Sequence, residues 1–373
     1  MDKVRIGIVG IGNMGTAHAN YLGRGEVAGA ELAAVCDVSQ DRLRWAEQQF
    51  GGRVATFDSV EAMFASGKID AVLIANRHFD HPGTAMLAFE HGLHVLCEKP
   101  AGVYTRNVRE MNEAAARSGK LFSMMYNQRT NPLYAKLKDL VDSGELGAIR
   151  RTNWIITTWY RPQSYYDSGG WRATWAGEGG GVLLNQCPHQ LDLWQWITGL
   201  APKRIRAFCT FGKYRDIEVE DDVTAYVEYE NGATGVFITT TGETPGTNRF
   251  ELVGEKGKIV VEDDKLTFWR LRVSEPEFNR QFKGQFGQPE SWKIDIPVRG
   301  QETGHKGVTQ NFVDAILKGT PLLAPGEEGI NGLLLSNAML LSSWTDNWVD
   351  VPMNEDLFHE LLQQKIDSSV FRS

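Results

Sequence analysis

The first 126 residues alternate between short apolar runs and stretches whose apolar residues recur at helical spacing. Val4 to Val9, ELAAVCD, RVATF, DAVLIAN, HVLCEKP and LFSMMYN are compact apolar runs, too short for helices and bounded by turn residues. Between them, TAHANYL, SVEAMFASG, HPGTAMLAFEHG and TRNVREMNEAAARSG carry the three-to-four-residue period of amphipathic helices. Strands without an in-out alternation are buried on both faces. Strand followed by helix, repeated, predicts a parallel sheet with right-handed crossovers.

The rhythm changes after Tyr126. Pro132 to Gly144 reads as a helix, and strand-like runs then follow one another with Gly, Asn or Asp turns between them. DVTAYVEYENGATGVFITTTG is the clearest hairpin among them. Strands that are neighbours in sequence predict an antiparallel sheet. One face of it is expected to cover a ligand crevice and the other to pair with a second subunit, as a homodimer or homotetramer. From His305 onward the period returns to helical. The pattern divides the chain into an alternating α/β domain at 1–126 and an α+β domain at 127–373.

Composition narrows the function classes. At 373 residues, 42% apolar and 23% charged, the chain fits a globular protein of about two domains. A formal net charge of −8 without a Lys/Arg block argues against nucleic-acid and anionic-membrane partners, and leaves small molecules. Cys36, Cys97, Cys187 and Cys209 are scattered, which predicts free thiols in a reducing cytoplasm and no metal site. The N-terminus enters a strand pattern at once, so no signal peptide is expected, and no apolar run is long enough to span a bilayer. Several of the 11 tryptophans fall between Trp154 and Trp196; they fit either a pocket for a ring-shaped ligand or ordinary core and interface packing.

Two stretches carry candidate chemistry. In VRIGIVGIGNMG, Gly10, Gly12 and Gly15 follow a strand and open a helix: the first permits a tight turn, the second lets backbone approach a pyrophosphate, and the third lets helix and strand pack closely. Asp37 ends the next strand, where a carboxylate takes ribose hydroxyls and repels a 2′-phosphate. This favours NAD, while Arg42 and Arg44 nearby leave NADP open. The second stretch, GEGGGVLLNQCPHQLDLWQW (Gly177 to Trp196), buries Asn185, His189 and Asp192 among apolar residues. His189 reads either as a satisfied core histidine or as a base. Pro188 suits a first helical turn, so His189 is expected near a positive helix end that disfavours the imidazolium. Asp192, one turn on, can orient the ring or make a structural bond.

Gly10-x-Gly12-x-x-Gly15, Asp37, His81, Glu98-Lys99-Pro100 and the run GGG-x-L-x5-H-x-x-D together resemble the glucose–fructose oxidoreductase/inositol dehydrogenase (Gfo/Idh/MocA) family along nearly the whole chain. The resemblance implies a Rossmann domain, with its doubly wound parallel sheet, followed by a domain with a large open antiparallel sheet. It also implies NAD(P)-dependent oxidation or reduction of a secondary hydroxyl on a sugar, inositol or polyol. The cofactor set it implies is Gly10, Gly12, Asn13, Met14, Gly15, Asp37, Asn76, His81, Glu98, Lys99 and Asn127, with a cis bond at Lys99–Pro100. Lys99 would meet the reacting hydroxyl and stabilise the alkoxide, with His189 as general base. Tyr160, Arg161, Trp171, Arg172 and Trp175, in the polar-aromatic loop before the glycines, are candidates to line a sugar. The chain departs from the family pattern twice. Asn76-Arg77 replaces Thr-Pro, and Asn185, which cannot accept a proton, stands where related dehydrogenases carry Asp. Two alternatives stay open: an NAD-dependent glycoside hydrolase working by transient oxidation, elimination, water addition and re-reduction, and a non-catalytic sugar- or NAD-binding regulator.

Overall fold

The computed structural model describes residues 2–370, which pack as two compact units: 1–130 with 302–334, and 131–301 with 335–373. In the first unit, β1 (Val4–Val9), α1 (Asn13–Gly23), β2 (Ala30–Cys36), α2 (Gln40–Phe50), β3 (Ala55–Phe57), α3 (Val60–Ala65), β4 (Ala71–Ile74), α4 (His81–Glu90), β5 (His94–Cys97), α5 (Thr105–Ser118) and β6 (Phe122–Met124) follow the expected alternation. The six strands form one parallel sheet ordered β3-β2-β1-β4-β5-β6, the doubly wound arrangement. The runs of β1, β4, β5 and β6 are almost wholly buried, with β4 covered at every position, whereas the edge strand β3 is half-buried.

Register does more for function than order. Val9 pairs with Cys36 and with Ile74, Ile74 with Cys97, and Cys97 with Met124. These residues form one level row at the carboxyl ends of the strands. Gly10, Asp37, Asn76, Glu98-Lys99 and Asn127 each follow within three residues of that row, so strand length alone brings them to one edge.

Residues 302–334, which the sequence pattern places with the second domain, pack with the first unit. Val308, Phe312 and Val313 of the helix Gly304–Lys318 join the core of Val4, Ile6 and Ile8. Ser123 Oγ and Met124 N both donate to Ala324 O, at 2.9 Å each. An amphipathic helix shows that it has a buried face but not which sheet it covers.

The second unit contains α6 (Pro132–Asp142), β7 (Ile149–Ile156), α7 (Gln163–Tyr166), α8 (Pro188–Thr198), β8 (Pro202–Phe211), β9 (Glu220–Tyr229), β10 (Thr234–Thr240), β11 (Asn248–Gly254), β12 (Gly257–Glu262), β13 (Lys265–Leu271), α9 (Glu275–Gln281), β14 (Ser291–Ile296), β15 (Val349–Asp350) and α12 (Glu355–Asp367). The helices Gly304–Lys318 (α10) and Gly329–Thr345 (α11) precede β15 in the chain. Nine strands form one sheet ordered β14-β13-β12-β11-β7-β10-β9-β8-β15. It is not purely antiparallel, as the neighbour rule predicts: β7 lies centrally and runs parallel to β10. The long connection 157–201 frees β7 from its successor β8, and that connection carries the aromatic loop, the glycine run and α8. Trp154 stacks on Phe250 with centroids 4.2 Å apart, and Trp194 lies over Phe237 at 5.4 Å. Both indoles are fully covered, so this part of the tryptophan cluster is core rather than a ligand pocket. Among the described residues no helix is long and apolar enough to cross a membrane.

Candidate active site

The glycine turn divides its labour as the motif predicts. Gly10 sits at φ 83°, and a Cβ there would meet Ala75 O at 2.7 Å. A Cβ on Gly15 would fall inside the Gly10 carbonyl oxygen, whereas one on Gly12 would meet nothing within 4 Å. The turn is therefore tight at Gly10, close-packed at Gly15 and open at Gly12. α1 begins at Asn13 with no side chain capping its first turn, which leaves amide donors and the positive dipole end for an anion. Met14 is 38% exposed there. Asp37 braces the turn: Oδ2 accepts from Ile11 N and Oδ1 from Ser39 N, both at 2.8 Å.

Two further residues at this edge carry unspent polar atoms. Asn76 Nδ2 donates to Thr84 Oγ1 at 2.9 Å, but its Oδ1, like Asn127 Oδ1, is buried without a hydrogen-bond partner. Buried amide oxygens are rarely left so. With the open face of Gly12 they fit a dinucleotide bearing hydroxyl and amide donors.

At the end of β5, Lys99–Pro100 is cis, as expected. His81 is 1% exposed, and its Nδ1 lies 2.7 Å from Pro100 O. Burial holds this ring's pKa below the usual histidine value, with the Pro100 and Asn76 carbonyls opposing. A neutral ring donating from Nδ1 ties α4 to the Pro100 turn. Lys99 is partly exposed, and its own N–H donates to Glu98 Oε2 at 3.1 Å.

Glu98 belongs to a buried relay that the sequence did not announce. Its Oε1 lies 2.6 Å from His18 Nε2; His18 Nδ1 lies 2.7 Å from Tyr21 Oη, and Tyr21 Oη 2.7 Å from Thr309 Oγ1. Thr309 Oγ1 spends its proton on His305 O at 2.9 Å, so Tyr21 donates to Thr309 and accepts from His18 Nδ1–H. One proton is left for the His18–Glu98 contact. Burial pushes the Glu98 carboxyl up, but the hydrogen bond and charge of His18, with the charges of His305 and Lys99, outweigh it and bring it down to about 2. Glu98 is thus a fixed carboxylate beneath Lys99. The signal available in sequence was His18 three residues after Gly15, on the covered side of α1.

In the second unit the glycine run is pinned by a buried acid. Gly181 N donates to both oxygens of Glu220 at 2.9 Å, and Leu183 N to Oε1 at 3.0 Å. Burial pushes this carboxyl up to about 7, the backbone donors offset part of that, and the charge of Glu178 adds to it. Gly181 has no room for a side chain, since a Cβ would strike Glu220 O. Asn185 Nδ2 donates to Glu178 Oε1, whose second oxygen accepts from Ala173 N at 2.6 Å. α8 starts at Pro188, as expected, placing His189 in its first turn. From Gly177 to Trp194 every residue is buried except Asn185 and His189. Asp192 is 2% exposed.

The aromatic loop separates into two kinds of residue. Tyr160 is 45% exposed. Arg172 lies 4.7 Å from the Tyr165 ring centre and 4.6 Å from that of Trp171, with Nη1 donating to Tyr165 Oη at 3.0 Å. Arg161 lies 5.2 Å from the same Tyr165 ring. Trp175 is 5% exposed and packs edge-on to Trp344 at 5.6 Å, so it belongs to the unit's interior. Cys36, Cys97, Cys187 and Cys209 are free thiols.

Comparison with known proteins agrees with this architecture. Residues 4–126 match the family model described as an oxidoreductase family with an NAD-binding Rossmann fold, and residues 134–260 match the GFO/IDH/MocA C-terminal domain. The rhizopine catabolism protein MocA of Rhizobium meliloti is 30% identical over 207 residues, 55% of this chain and 61% of that protein. Myo-inositol 2-dehydrogenase of Thermotoga maritima is 24% identical over 345 residues, 90% of this chain and 95% of that one. The WlbA dehydrogenase of Bordetella pertussis, solved with NADH and UDP-GlcNAcA, superposes with a TM-score of 0.77 at 26% identity, covering 94% of this chain and 100% of that chain. The doubly wound sheet with its glycine turn, the mixed nine-stranded sheet and these matches place the chain in the Gfo/Idh/MocA family of NAD-binding oxidoreductases.

Proposed function

We propose that this oxidoreductase is an NAD-dependent dehydrogenase acting on a secondary hydroxyl of a sugar, inositol or related polyol. Its most informative feature is the run in which only Asn185 and His189 escape burial. An otherwise buried segment leaves two side chains partly exposed that can hydrogen-bond an alcohol, and one of them can take its proton. The names of the relatives, myo-inositol 2-dehydrogenase among them, support this substrate class.

In this reading the open turn at Gly12 and the first residues of α1, Asn13 and Met14, hold the pyrophosphate; Asp37 meets the ribose, and Asn76 and Asn127 use their buried oxygens. Bound NAD supplies the hydride acceptor. His189 takes the hydroxyl proton as general base. Lys99 places its ammonium by the developing alkoxide, and Asn185 positions the hydroxyl. Glu98, held ionised by His18, keeps the Lys99 backbone in place, and His81 does the same for Pro100. Tyr160, Trp171 and Arg172 meet the sugar, whereas Trp175 supports the loop from within. A second copy of the chain pairs through the outward side chains Phe208 and Tyr226, 61% and 39% exposed; light scattering at micromolar concentration is expected to give a dimer or tetramer.

The test is incubation of the protein with NAD and a panel containing myo-inositol, scyllo-inositol, levoglucosan, simple sugars and their glycosides, read as net NADH formation. Lys99→Ala and His189→Ala are each expected to lower kcat by roughly 10²–10⁴-fold with NAD affinity retained. Full turnover in either variant removes that residue from the mechanism. Sugar release from a glycoside without net NADH replaces the dehydrogenase with the redox-neutral hydrolase.

A further inference from the structure

We infer that Glu178 is a positioning residue that fixes which end of Asn185 faces the substrate, so that this run presents a hydrogen-bond acceptor there. The inference rests on the reading of Asn185 given above and deepens it. An asparagine amide has two unlike ends, a donor NH2 and an acceptor oxygen. Which end is presented outward decides whether it can accept from a substrate hydroxyl. Glu178 is 2% exposed, and its two oxygens are both engaged: Oε2 accepts the Ala173 N–H at 2.6 Å and Oε1 accepts Asn185 Nδ2. An ionised carboxylate only accepts, so the NH2 end of Asn185 must turn toward Glu178 and Oδ1 away from it. Asn185 N is itself anchored to Gly181 O at 2.9 Å, and Gly181 to Glu220 at 2.9 Å, so the backbone cannot swing to undo this choice. The hydroxyl that donates to Oδ1 is a neighbour of the reacting one, so it aligns the substrate while the reacting hydroxyl keeps its single proton for His189. Asn185 with Glu178 thus does the orienting work of an aspartate without ever holding the proton.

Reversing the polarity of the pair tests this. In Glu178→Gln the backbone N–H of Ala173 remains a donor, so the new amide must give it its oxygen and turn its NH2 to residue 185. Asn185 then flips and presents a donor outward. With myo-inositol as probe, or the panel member giving most NADH, kcat/KM is expected to fall about 10- to 100-fold, the range for replacing a matched polar contact by a mismatched one, with NAD affinity unchanged. Adding Asn185→Asp in the same chain restores the match, because the carboxylate accepts from the NH2 introduced at position 178 and keeps an acceptor outward; at least tenfold of the loss should return. Asn185→Asp alone sets two carboxylates against each other, with Glu220 and the Tyr166 hydroxyl also within electrostatic reach of Glu178. It should lower the melting temperature and bring a raised carboxyl ionisation into the pH–rate profile; Glu178→Gln should restore the melting temperature and return that ionisation toward the ordinary carboxylate range, and the melting temperatures read this coupling without any substrate. The inference falls if Glu178→Gln turns over like wild type while Asn185→Ala is impaired, or if the double variant is no better than Glu178→Gln. If Asn185→Ala itself keeps full activity, the assignment of Asn185 to the site falls first.

Discussion

Gly12 and Gly15 are three residues apart in one motif, yet a single added methyl group should do opposite things at the two positions. At Gly15 the Cβ would enter the Gly10 carbonyl oxygen, and both partners are backbone, so no side chain can move aside. Overpacking of this kind costs about 3 kcal/mol. For a unit the size of 1–130 with 302–334, that is a fall of roughly 6–12 °C in melting temperature. At Gly12 the Cβ meets nothing and φ is −69°, open to any residue. The cost is that of an alanine at a helix N-cap, about 1 kcal/mol or less and so roughly 2–4 °C. The methyl of Gly12→Ala points instead into the space the pyrophosphate needs. Wild type at an NADH concentration of about 100 Kd gains about 2.7 kcal/mol from the ligand, and a variant binding tenfold more weakly gains about 1.4 kcal/mol under the same conditions. Thermal scans with and without NADH, backed by a fluorescence titration, measure both effects. Gly12→Ala should keep most of its stability and lose about half of its NADH-induced shift or more; Gly15→Ala should start well below wild type without ligand. Wild-type NADH affinity in Gly12→Ala would refute the placement of the phosphate, and wild-type stability in Gly15→Ala would refute the helix–strand contact.

Two other sites give sharp expectations. Tyr21→Phe removes the hydroxyl joining His18 to Thr309 and leaves a buried Nδ1–H without an acceptor; urea unfolding should show a loss of about 1–3 kcal/mol, and an unchanged midpoint would mean the relay is not formed as described. Glu220, with a carboxyl raised from 4.5 to about 7, binds its proton more tightly in the folded state than in the unfolded chain. Its contribution is present below pH 4.5 and lost as pH rises toward 7, because the folded state binds more protons across that window. Melting temperatures taken from pH 4.5 to 8 should show a downward slope in wild type that flattens in Glu220→Gln, and equal slopes in the two proteins would sink this assignment.

The first unit was largely legible because its sequence repeats one rule. Apolar runs fixed the strands, and the residues just after each run fell at the ligand edge, so Gly10, Asp37 and Lys99 could be named from position, whereas Asn76 and Glu98 were named through the family resemblance. What escaped was what a linear pattern does not encode. Residues 302–334 return to this unit from far along the chain. His18 meets Glu98 across 80 residues, and no sequence pattern pairs the two. In the second unit each strand was visible but the order was not, because β7 is separated from β8 by the long connection 157–201, and sequence adjacency says nothing about where a strand lies once its neighbour is so distant. Trp175 shows the same limit in miniature: an aromatic residue beside a glycine-rich loop is equally suited to a sugar and to a core, and only its burial separates the two.

The departure at Asn185 is where sequence and structure say different things about the same residue. By residue type, an amide in place of a carboxylate is one proton acceptor fewer. By geometry, a carboxylate has not left the neighbourhood: Glu178 stands seven residues upstream, buried, and bonded to the amide itself. In the proposed mechanism the charge lies one hydrogen-bonded side chain further from the substrate, and the amide between them passes on direction but not a proton. His189 is then the side chain of this run that can hold the substrate proton, so its titration alone should govern the proton-transfer step on this side of the substrate. The pH–rate profile of this protein should therefore show one ionisation from the segment 177–194, abolished in His189→Ala and left in place by Asn185→Ala. A second ionisation that disappears with Asn185→Ala would mean that the amide is not the passive element its chemistry requires.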